Sequence, residues 1–488
     1  MKIYNGYERL PRNYTLGTDE YEYSMANGYL QNNMEDKQVA FDVFFRKVPN
    51  NGGYAIMAGL DKIIPFLENL KFNEQKLNYF KKAGYSDNFI EYLKNFKFRG
   101  SLYAVPDGTP VFPNEPIITV KAPLIDAQII ETAILYLVNG AMEHATAARR
   151  IIEATPKGVG VMEFGSRRAD GGEAAIDSAL YAIMAGCIGT SNSLAADMIN
   201  RVALGTQAHS FIESYPTELE AFISYAKTYP NNCILLVDTI DTLRSGLPNA
   251  IKTFQYMKEN NLDTSHIGIR IDSGDLAYLT KEARKMLDEA GFPEAKICIS
   301  NALDAETIES LVQQGAKFNS IGVGDNISKP NGRMGCVYKE VALEENNEWI
   351  PKIKLSNDTI KILNPGYKEL YRAYDNETGY AICDIIEIKG KELNERELVI
   401  VSPQDSLKRK KIKDFHLRKL QEPIFIDGKL VYEDKTIEEQ IAYCNKEMET
   451  IYPEVKRTRM PHEYYVDGTE EYVNYKCDII NQVKQLVR

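Results

Sequence analysis

The middle of the chain alternates short apolar runs with segments whose apolar residues recur at helical spacing. Leu276, Leu279, Ala283 and Leu287 form one such helical face, and Gly291 is placed to end the helix. The apolar runs between such segments are Val159–Phe164, Cys187–Gly189, Val202–Leu204, Ile234–Val237, Ile267–Ile271, Ile297–Ile299 and Ile321–Val323. Strands that alternate with helices predict a parallel sheet, and about seven repeats predict a β/α barrel in place of an open sheet.

The region before this repeat mixes helical and strand-like patterns. Tyr54–Leu70 carries apolar residues at helical spacing. Pro106–Gly108 predicts a turn between two strands, at 101–105 and 110–113. A longer helical pattern, which no proline interrupts, covers Asp126–Arg150.

The length of the chain indicates several domains. Its 488 residues and 55.3 kDa are too many for one compact core. We therefore expect an N-terminal α/β domain over residues 1–125, a linking helix over 126–150, a β/α barrel with the active site over 151–340, and a C-terminal accessory region over 341–488. The sequence of the last region indicates no chemistry.

The charge of the chain weighs against one class of function. Lys and Arg number 58 against 69 Asp and Glu, which gives a net charge of −11. Such an acidic chain is a poor candidate for binding nucleic acid, whereas a local basic pocket for phosphates stays open. The basic run Lys408–Lys411 has two interpretations: a solvated face, which we favour, and a phosphate-binding patch.

Cysteine usage and hydropathy predict a soluble protein of the cytoplasm. The seven cysteines are scattered singly, so neither a disulfide framework nor a zinc knot is expected. Four of them lie in apolar runs and are predicted to be buried: Cys187, Cys233, Cys298 and Cys383. Met1–Asn5 lacks the apolar segment of a signal peptide, and no run of about 18 apolar residues could span a membrane.

Polar and glycine-rich clusters follow six of the predicted strands. The carboxyl ends of parallel strands meet at one mouth of a barrel, so these clusters are expected to converge. They are Glu163–Arg168, Gly189–Asn192, Gly205–Ser210, Asp238–Asp241, Arg270–Asp275 and Gly322–Asn326. Taken singly, such clusters are also typical of turns and helix starts. Together, their arginines, aspartates and glycines suit a polyanionic substrate that is held with Mg²⁺.

Six separated motifs resemble those of the nicotinate phosphoribosyltransferase family, in that family's order. They are Thr18–Tyr21, Phe41–Lys47, Glu163–Ala169, Gly189–Asn192, Gly205–Ser210 and Arg270–Leu276. The resemblance implies the fold of a type II phosphoribosyltransferase: an irregular α/β barrel with an N-terminal α/β domain, usually a homodimer with shared active sites. One departure from the family's pattern is Asp325, because the phosphate loop of the family more usually has Thr at this position. After residue 341 the resemblance is loose.

The resemblance also implies an activity. Enzymes of this family join nicotinate to phosphoribosyl pyrophosphate and release nicotinate mononucleotide and pyrophosphate, a step of NAD salvage. ATP hydrolysis is coupled to the reaction through a phosphorylated histidine, which corresponds to His209, and such coupling places the enzyme among the ligases. Mg²⁺ is expected to hold the leaving pyrophosphate, while carboxylates stabilise an oxocarbenium-like transition state.

The same resemblance assigns residues to the pyridine base. Phe164 and Tyr21 are expected to sandwich the ring, with Tyr21 donated by the neighbouring subunit. Arg167 and Arg270 should face the anionic groups of the substrates, and Arg270 is our choice for the nicotinate carboxylate. Ser191 stands where nicotinamide-using relatives have an aspartate, which would repel a carboxylate, so Ser191 favours nicotinate.

Further residues are assigned to the ribose and the phosphates. Asp238 and Asp272 should line the ribose and Mg²⁺ region, and both are expected to be catalytic. Gly322 and Gly324 should approach the 5′-phosphate, and Asn301 is a weaker candidate for the ribose or the phosphates.

Other interpretations stay open from the sequence. Phe164 could belong to the core and Tyr21 could be a surface residue. A nicotinamide or quinolinate phosphoribosyltransferase would share the fold, although Ser191 and His209 argue against both. A non-catalytic metabolite-sensing subunit and an aldolase-type barrel are the remaining alternatives, but the first would lack His209 or Asp272 and the second needs a lysine at a strand end.

Overall fold

The computed structural model describes residues 14–355 and 363–485, so the feature predicted at Met1–Asn5 lies outside the described residues. The chain forms two compact units. We call residues 144–331 the central unit, and the described residues before and after it the flanking unit. The predicted domain boundaries stay a prediction.

Helices and strands alternate along the central unit and are mixed in the flanking unit. The α-helices are α1 (Glu20–Gln31), α2 (Leu60–Glu68), α3 (Glu74–Lys82), α4 (Asp87–Lys94), α5 (Leu124–Ile129), α6 (Glu131–Ala154), α7 (Gly172–Met184), α8 (Ser193–Met198), α9 (His209–Glu213), α10 (Glu218–Thr228), α11 (Leu247–Glu259), α12 (Leu276–Glu289), α13 (Ala305–Gln313), α14 (Asp325–Ser328), α15 (Ile437–Glu449) and α16 (Glu470–Gln485). The strands are β1 (Gln38–Phe44), β2 (Ala55–Ile56), β3 (Ser101–Ala104), β4 (Pro110–Val111), β5 (Ile118–Pro123), β6 (Gly160–Glu163), β7 (Gly189–Thr190), β8 (Cys233–Leu236), β9 (Ile267–Ile271), β10 (Lys296–Ile299), β11 (Ser320–Val323), β12 (Val337–Glu345), β13 (Glu348–Pro351), β14 (Lys368–Asp375), β15 (Ala381–Ile388), β16 (Glu397–Val401), β17 (Arg409–Lys413), β18 (Phe415–Lys419), β19 (Glu422–Ile426), β20 (Lys429–Leu430) and β21 (Val466–Thr469).

A curved sheet of six parallel strands forms the middle of the central unit. The strand order is β7-β6-β11-β10-β9-β8, and every neighbouring pair is parallel. The sheet curls into half of a barrel. Apolar residues of the strands and of the surrounding helices pack into one core, which includes Val161, Leu235, Ile269, Ile297 and Ile321. The predicted α/β class with an irregular barrel is confirmed.

Helix α12 shows why the helical pattern was predictive in this unit. Asp275 precedes the helix and its Oδ1 accepts a hydrogen bond from the amide of Tyr278 at 3.0 Å. The apolar face is buried at Ala283 and Leu287. Gly291 follows the helix with a φ of 85°, a left-handed conformation that glycine adopts without steric cost. The predicted end of the helix is confirmed.

One predicted strand is not part of the sheet. Residues 201–208 have no regular secondary structure, so the strand predicted at Val202–Leu204 is wrong. The amide of Leu204 donates to the carbonyl of Thr190 at 2.8 Å, but Val202 is 87% exposed. A run of three apolar residues is too short to separate a strand from an irregular segment.

Segments from both ends of the chain share one large sheet of the flanking unit. One sheet has the order β13-β12-β1-β5-β3-β19-β20, so strands from before and after the central unit are neighbours. A second sheet, β17-β16-β21-β15-β14-β18, is built from the C-terminal part alone, and β2 and β4 form a small sheet of their own. A buried ion pair between Lys368 and Asp42 joins the two large sheets, and Asp42 also accepts a hydrogen bond from Thr119 at 2.7 Å.

Three predicted elements of the flanking unit have different limits in the structure. The pattern over Tyr54–Leu70 begins with β2, and helix α2 starts only after Gly59, whose φ is 119°. The pattern over Asp126–Arg150 comprises two helices, α5 and α6, which are separated at Ile130. The turn at Pro106–Gly108 lies between β3 and β4, but these strands pair with different partners and form no hairpin.

Two predictions from composition can be compared with the structure. Among the described residues, none of the helices has the length and hydropathy needed to span a membrane. The cysteines predicted to be buried, Cys187, Cys233, Cys298 and Cys383, are buried.

Candidate functional site

Polar residues that follow neighbouring strands of the central sheet lie side by side at its carboxyl edge. Asp238 follows β8, Arg270 and Asp272 lie at the end of β9, and Ser300 follows β10. These three strands are adjacent in the sheet, which brings the residues after them within hydrogen-bonding distance of one another. We call this group and the residues that contact it the edge cluster.

Arg270 is held by three side-chain acceptors. Its Nε donates to Ser300 Oγ at 2.9 Å, Nη1 to Thr206 Oγ1 at 3.1 Å and Nη2 to Asp272 Oδ1 at 3.0 Å. The guanidinium carbon lies 5.8 Å from the centroid of the Phe164 ring, within the range of a cation–π contact. A fixed planar cation is therefore placed beside an aromatic ring, an arrangement that suits an anionic aromatic ligand.

Gly322 makes room for the ring of Phe164. A Cβ at Gly322 would lie less than 3.0 Å from Cδ2 and Cε2 of the Phe164 ring, so only glycine fits there with the ring in place. The amide of Phe164 donates to the carbonyl of Val323 at 2.7 Å. A Cβ at Gly324 would contact the Phe164 carbonyl oxygen at 3.4 Å, which is an ordinary contact. The absence of a side chain at Gly322 thus allows the observed position of the Phe164 ring.

Asp238 connects three segments of the cluster. Its side chain is 1% exposed, and Oδ2 accepts from the amide of Asp272 at 3.1 Å and from Ser273 Oγ at 2.6 Å. Oδ1 lies 3.2 Å from Nε2 of His209, the first residue of α9. The His209 side chain is 42% exposed, so its ring is accessible from solvent although one nitrogen is held.

Asp272 is an ionised carboxylate with one open oxygen. Burial raises its pKa, but the hydrogen bond from Ser300 and the charge of Arg270 outweigh burial and hold the pKa below its ordinary value. Oδ1 accepts from both Ser300 and Arg270. Within the described part of the chain no donor reaches Oδ2, which leaves that oxygen for a ligand.

Asp238 and Asp272 are the residues that the sequence resemblance assigns to Mg²⁺. Mg²⁺ prefers oxygen ligands and often binds through one or two carboxylates together with phosphates of a substrate. The described residues contain no group of three His, Cys, Asp or Glu side chains arranged to hold a metal ion. The open oxygen of Asp272 therefore fits an ion that the substrate's own phosphates help to bind, and does not fit an all-protein metal cage.

Glu163 is a residue of the site that sequence reasoning missed. Its carboxylate is fully buried, and burial raises its pKa. Oε1 accepts from the amide of Gly165 at 2.5 Å and Oε2 from Thr190 Oγ1 at 2.5 Å, while its carbonyl accepts from the amide of Ser191 at 2.9 Å. Glu163 thus fixes the turns after β6 and β7. The sequence signal that could have identified Glu163 was its position in the first strand-end cluster, Glu163–Arg168.

Three other predicted site residues lie at exposed positions of the central unit. Arg167 belongs to the 3₁₀ turn Ser166–Arg168, Ser191 follows β7, and Asn301 follows Ser300 with a φ of 103°. Among the described residues, no hydrogen bond engages the side chain of any of the three. All three side chains are therefore free to contact a ligand.

Asp325 forms an ion pair with Arg168. This carboxylate, which departs from the family's phosphate loop, lies 3.2 Å from Nε of Arg168, and both side chains are 58% exposed. The guanidinium offsets the negative charge that Asp325 adds next to Gly324. The departure is therefore compatible with an anion at this loop.

Tyr21 lies in the flanking unit, on α1. Its side chain is 47% exposed, although burial of its hydroxyl group and the nearby charge of Glu131 raise its pKa. The neighbouring Glu22 is buried and accepts hydrogen bonds from Gln128 and from Thr132, the latter at 3.2 Å. An exposed tyrosine on a helix that is anchored by its next residue is suited to contact a ligand or another subunit.

Models of one protein family match most of the chain. The nicotinate phosphoribosyltransferase N-terminal domain matches residues 16–139, the nicotinate phosphoribosyltransferase family matches 159–362, and the nicotinate phosphoribosyltransferase C-terminal domain matches 367–476. The three matches follow one another in order and leave only short gaps.

Individual proteins are similar over nearly their whole length. The nicotinate phosphoribosyltransferase of Bacillus subtilis is 40% identical over 97% of this chain and 96% of its own. That of Caenorhabditis elegans is 32% identical over 94% of this chain and 92% of its own. A crystal structure of human nicotinic acid phosphoribosyltransferase superposes with a TM-score of 0.82 at 25% identity and covers 94% of this chain and 99% of the human one.

The contact between Gly322 and Phe164 gives the first prediction. We expect Gly322→Ala to lower the free energy of unfolding by about 1–3 kcal/mol, because the added methyl group must displace the ring. Urea unfolding measures the loss, and Gly172→Ala, where nothing lies within 4 Å of the added Cβ, serves as the control. In a Phe164→Ala background the cost of Gly322→Ala should nearly vanish. An unchanged cost in that background would show that the ring is not the obstacle.

Proposed function

We propose that this chain, which belongs to the nicotinate phosphoribosyltransferase family, joins nicotinate to phosphoribosyl pyrophosphate. The reaction releases nicotinate mononucleotide and pyrophosphate. The observation that carries the proposal is the edge cluster, where Arg270 lies beside the Phe164 ring and next to the ionised Asp272. One end of this arrangement suits an aromatic carboxylate, and the other suits a ribose that develops positive charge.

The base is recognised by charge and by stacking in this proposal. Nicotinate lies on the Phe164 ring, and its carboxylate accepts hydrogen bonds from Arg270, whose guanidinium is already oriented by Ser300, Thr206 and Asp272. Tyr21 of a neighbouring subunit covers the second face of the pyridine ring. Because these groups are positioned before the base arrives, little orientation has to be acquired on binding.

The ribose and the phosphates occupy the remaining part of the edge. Asp272 would hold Mg²⁺ through its open oxygen, together with the pyrophosphate of the substrate, and Asp238 would line the same region; the ion would offset the negative charge of the departing group. The carboxylate of Asp272 also stabilises the positive charge that develops on the ribose as the bond to pyrophosphate breaks. Gly322 and Gly324 lie near the 5′-phosphate, with Arg167 and Asn301 as further contacts to the anionic groups.

His209 couples the reaction to ATP in this proposal. Its Nε2 is held by Asp238, so that Nδ1 keeps the free electron pair when Nε2 carries the proton. Nδ1 attacks the γ-phosphorus of ATP, the bond from that phosphorus to the bridging oxygen breaks, and ADP leaves. The added charge organises the loops that bind phosphoribosyl pyrophosphate, and water later hydrolyses the phosphohistidine.

Replacement of His209 tests this coupling. His209→Ala should abolish ATP hydrolysis and raise the KM for phosphoribosyl pyrophosphate about tenfold or more, while slow ATP-independent transfer survives. Asp272→Ala should instead lower transfer by about 100-fold or more with and without ATP. The assay measures nicotinate mononucleotide and phosphate together. ATP hydrolysis that persists in step with transfer in His209→Ala would exclude the phosphohistidine.

Ser191 tests the choice of base. Ser191→Asp should repel the carboxylate of nicotinate and shift the ratio of kcat/KM for nicotinate and nicotinamide about tenfold or more toward nicotinamide. Ser193→Asp adds the same charge two residues away, at an exposed position, and should leave the ratio unchanged. Quinolinate is measured alongside, and a wild-type protein that prefers quinolinate or nicotinamide would overturn the proposed substrate.

A mixing experiment tests the shared site. Tyr21→Ala and Asp272→Ala should each be inactive, yet mixed heterodimers should regain activity, because one of their two sites has both residues. Mixtures of wild type with each variant calibrate the extent of subunit exchange. If exchange is demonstrated and no activity returns, Tyr21 acts in its own subunit or lies outside the site.

A further inference from the structure

The flanking unit contains a large cavity that shares no residue with the edge cluster. Its volume is about 1130 Å³, at or above the size of ordinary small-molecule pockets. Four segments of the chain line it, within residues 46–53, 112–114, 402–410 and 461–467. We call it the basic cavity, because Lys and Arg side chains from two of these segments line its wall.

Five basic side chains line the basic cavity. They are Arg46, Lys47, Lys408, Arg409 and Lys410. Arg409 pairs with Glu470, but among the described residues no carboxylate forms an ion pair with the other four. The Nε atom of Arg46 is buried and has no hydrogen-bond partner in the described structure. A buried donor without an acceptor is costly, and an anion in the cavity would supply the acceptor.

The carboxylates of the cavity do not balance these cations. Three line it: Asp405, Glu463 and Asp467. Asp405 accepts a hydrogen bond from the amide of Leu407 at 3.1 Å and so stabilises its own loop. Burial raises the pKa of Asp467 to about 6, although the charges of Lys410 and Lys408 oppose the shift. The cavity is therefore net positive in a chain whose net charge is −11.

The basic residues of β17, together with Lys408 just before it, differ in whether a carboxylate pairs with them. Arg409, Lys411 and Lys413 contact the acidic side chains of Glu470 and Glu397. Lys408 and Lys410 line the cavity and make no such pair with described residues, and Nζ of Lys410 lies 5.4 Å from the centroid of the Tyr465 ring. Alternate residues of a strand point to opposite faces, which explains why the neighbours Lys410 and Lys411 differ. Lys411 and Lys413 are neutralised, Arg409 lines the cavity but is paired, and Lys408 and Lys410 are left without an ion pair at the cavity.

We propose that the basic cavity binds a small polyphosphate-bearing anion, with Lys408 and Lys410 as its main charged contacts. The concave shape and the acidic chain favour a small molecule over a nucleic-acid duplex. Several adjacent cations, with the unpartnered Arg46 donor beside them, match the multiple oxygens of linked phosphates. Tyr465, 42% exposed, and His462 also lie at the cavity and could stack with a nucleobase. The ligand is thus an inorganic or a nucleoside polyphosphate.

A binding experiment with matched variants tests the proposal. The full-length His209→Ala/Asp272→Ala protein is used, so that the edge cluster contributes least to binding, and calorimetry is carried out with tripolyphosphate and with ATP at constant ionic strength. Adding Lys408→Gln/Lys410→Gln should weaken binding of at least one probe tenfold or more. Adding Lys411→Gln/Lys413→Gln removes the same charge from the neutralised face and should leave the affinities within about twofold.

The outcomes separate the source of the ligand from failure of the proposal. Equal affinities for tripolyphosphate and ATP indicate phosphate recognition alone, whereas tighter ATP binding that Tyr465→Ala weakens indicates a nucleotide. If neither probe binds, or if both double variants bind alike, the cavity is not a polyphosphate site. Thermal unfolding checks each variant, and Lys410→Gln alone replaces a double variant that does not fold. The measurement needs no catalysis, so its result is independent of the proposed transferase activity.

Discussion

Asp238 imposes the constraint on which the edge cluster depends, because a carboxylate buried this deeply needs donors for both of its oxygens. It obtains them from the backbone of Asp272, from Ser273 and from His209, which belong to two separate segments. The position of the Asp272 backbone in turn fixes the side chain that orients Arg270. A single buried charge therefore links the residue proposed to receive phosphate to the residues proposed to bind base and ribose.

The flanking unit is held together by a different principle. Its strands come from both ends of the chain, and β1 pairs with β12 about 300 residues later, so closure of this sheet costs much more chain entropy than a hairpin does. Buried charge pairs act elsewhere in this unit: Lys368 of β14 contacts Asp42 of β1, and Arg372 contacts Asp384, the residue opposite it on β15, through two hydrogen bonds. Such pairs favour one arrangement over others because a slip would leave a charge buried and unpaired.

Local patterns predicted the parts of the fold whose causes are local. The repeat of strand and helix in the central unit and the stop at Gly291 depend on neighbours a few residues away, and these predictions were confirmed. Val202–Leu204 failed because an apolar run carries no information about which backbone it will pair with. The pairing of β19 with β3 was not predictable either, since it joins segments more than 300 residues apart.

The candidate site divides in the same way. Asp272 and Phe164 were proposed because they lie in motifs that resemble those of the family. Glu163 lies in one of these motifs too but was given no role, because a buried carboxylate that holds two turns looks in the sequence like any acidic residue at a strand end. The basic run at Lys408–Lys411 shows the limit most clearly. Whether a lysine there is neutralised depends on Glu397 and Glu470, and only folding decides which side chains meet them. The run therefore contains basic residues that pair with carboxylates and lysines that line the basic cavity, and whether it binds phosphate stays a prediction.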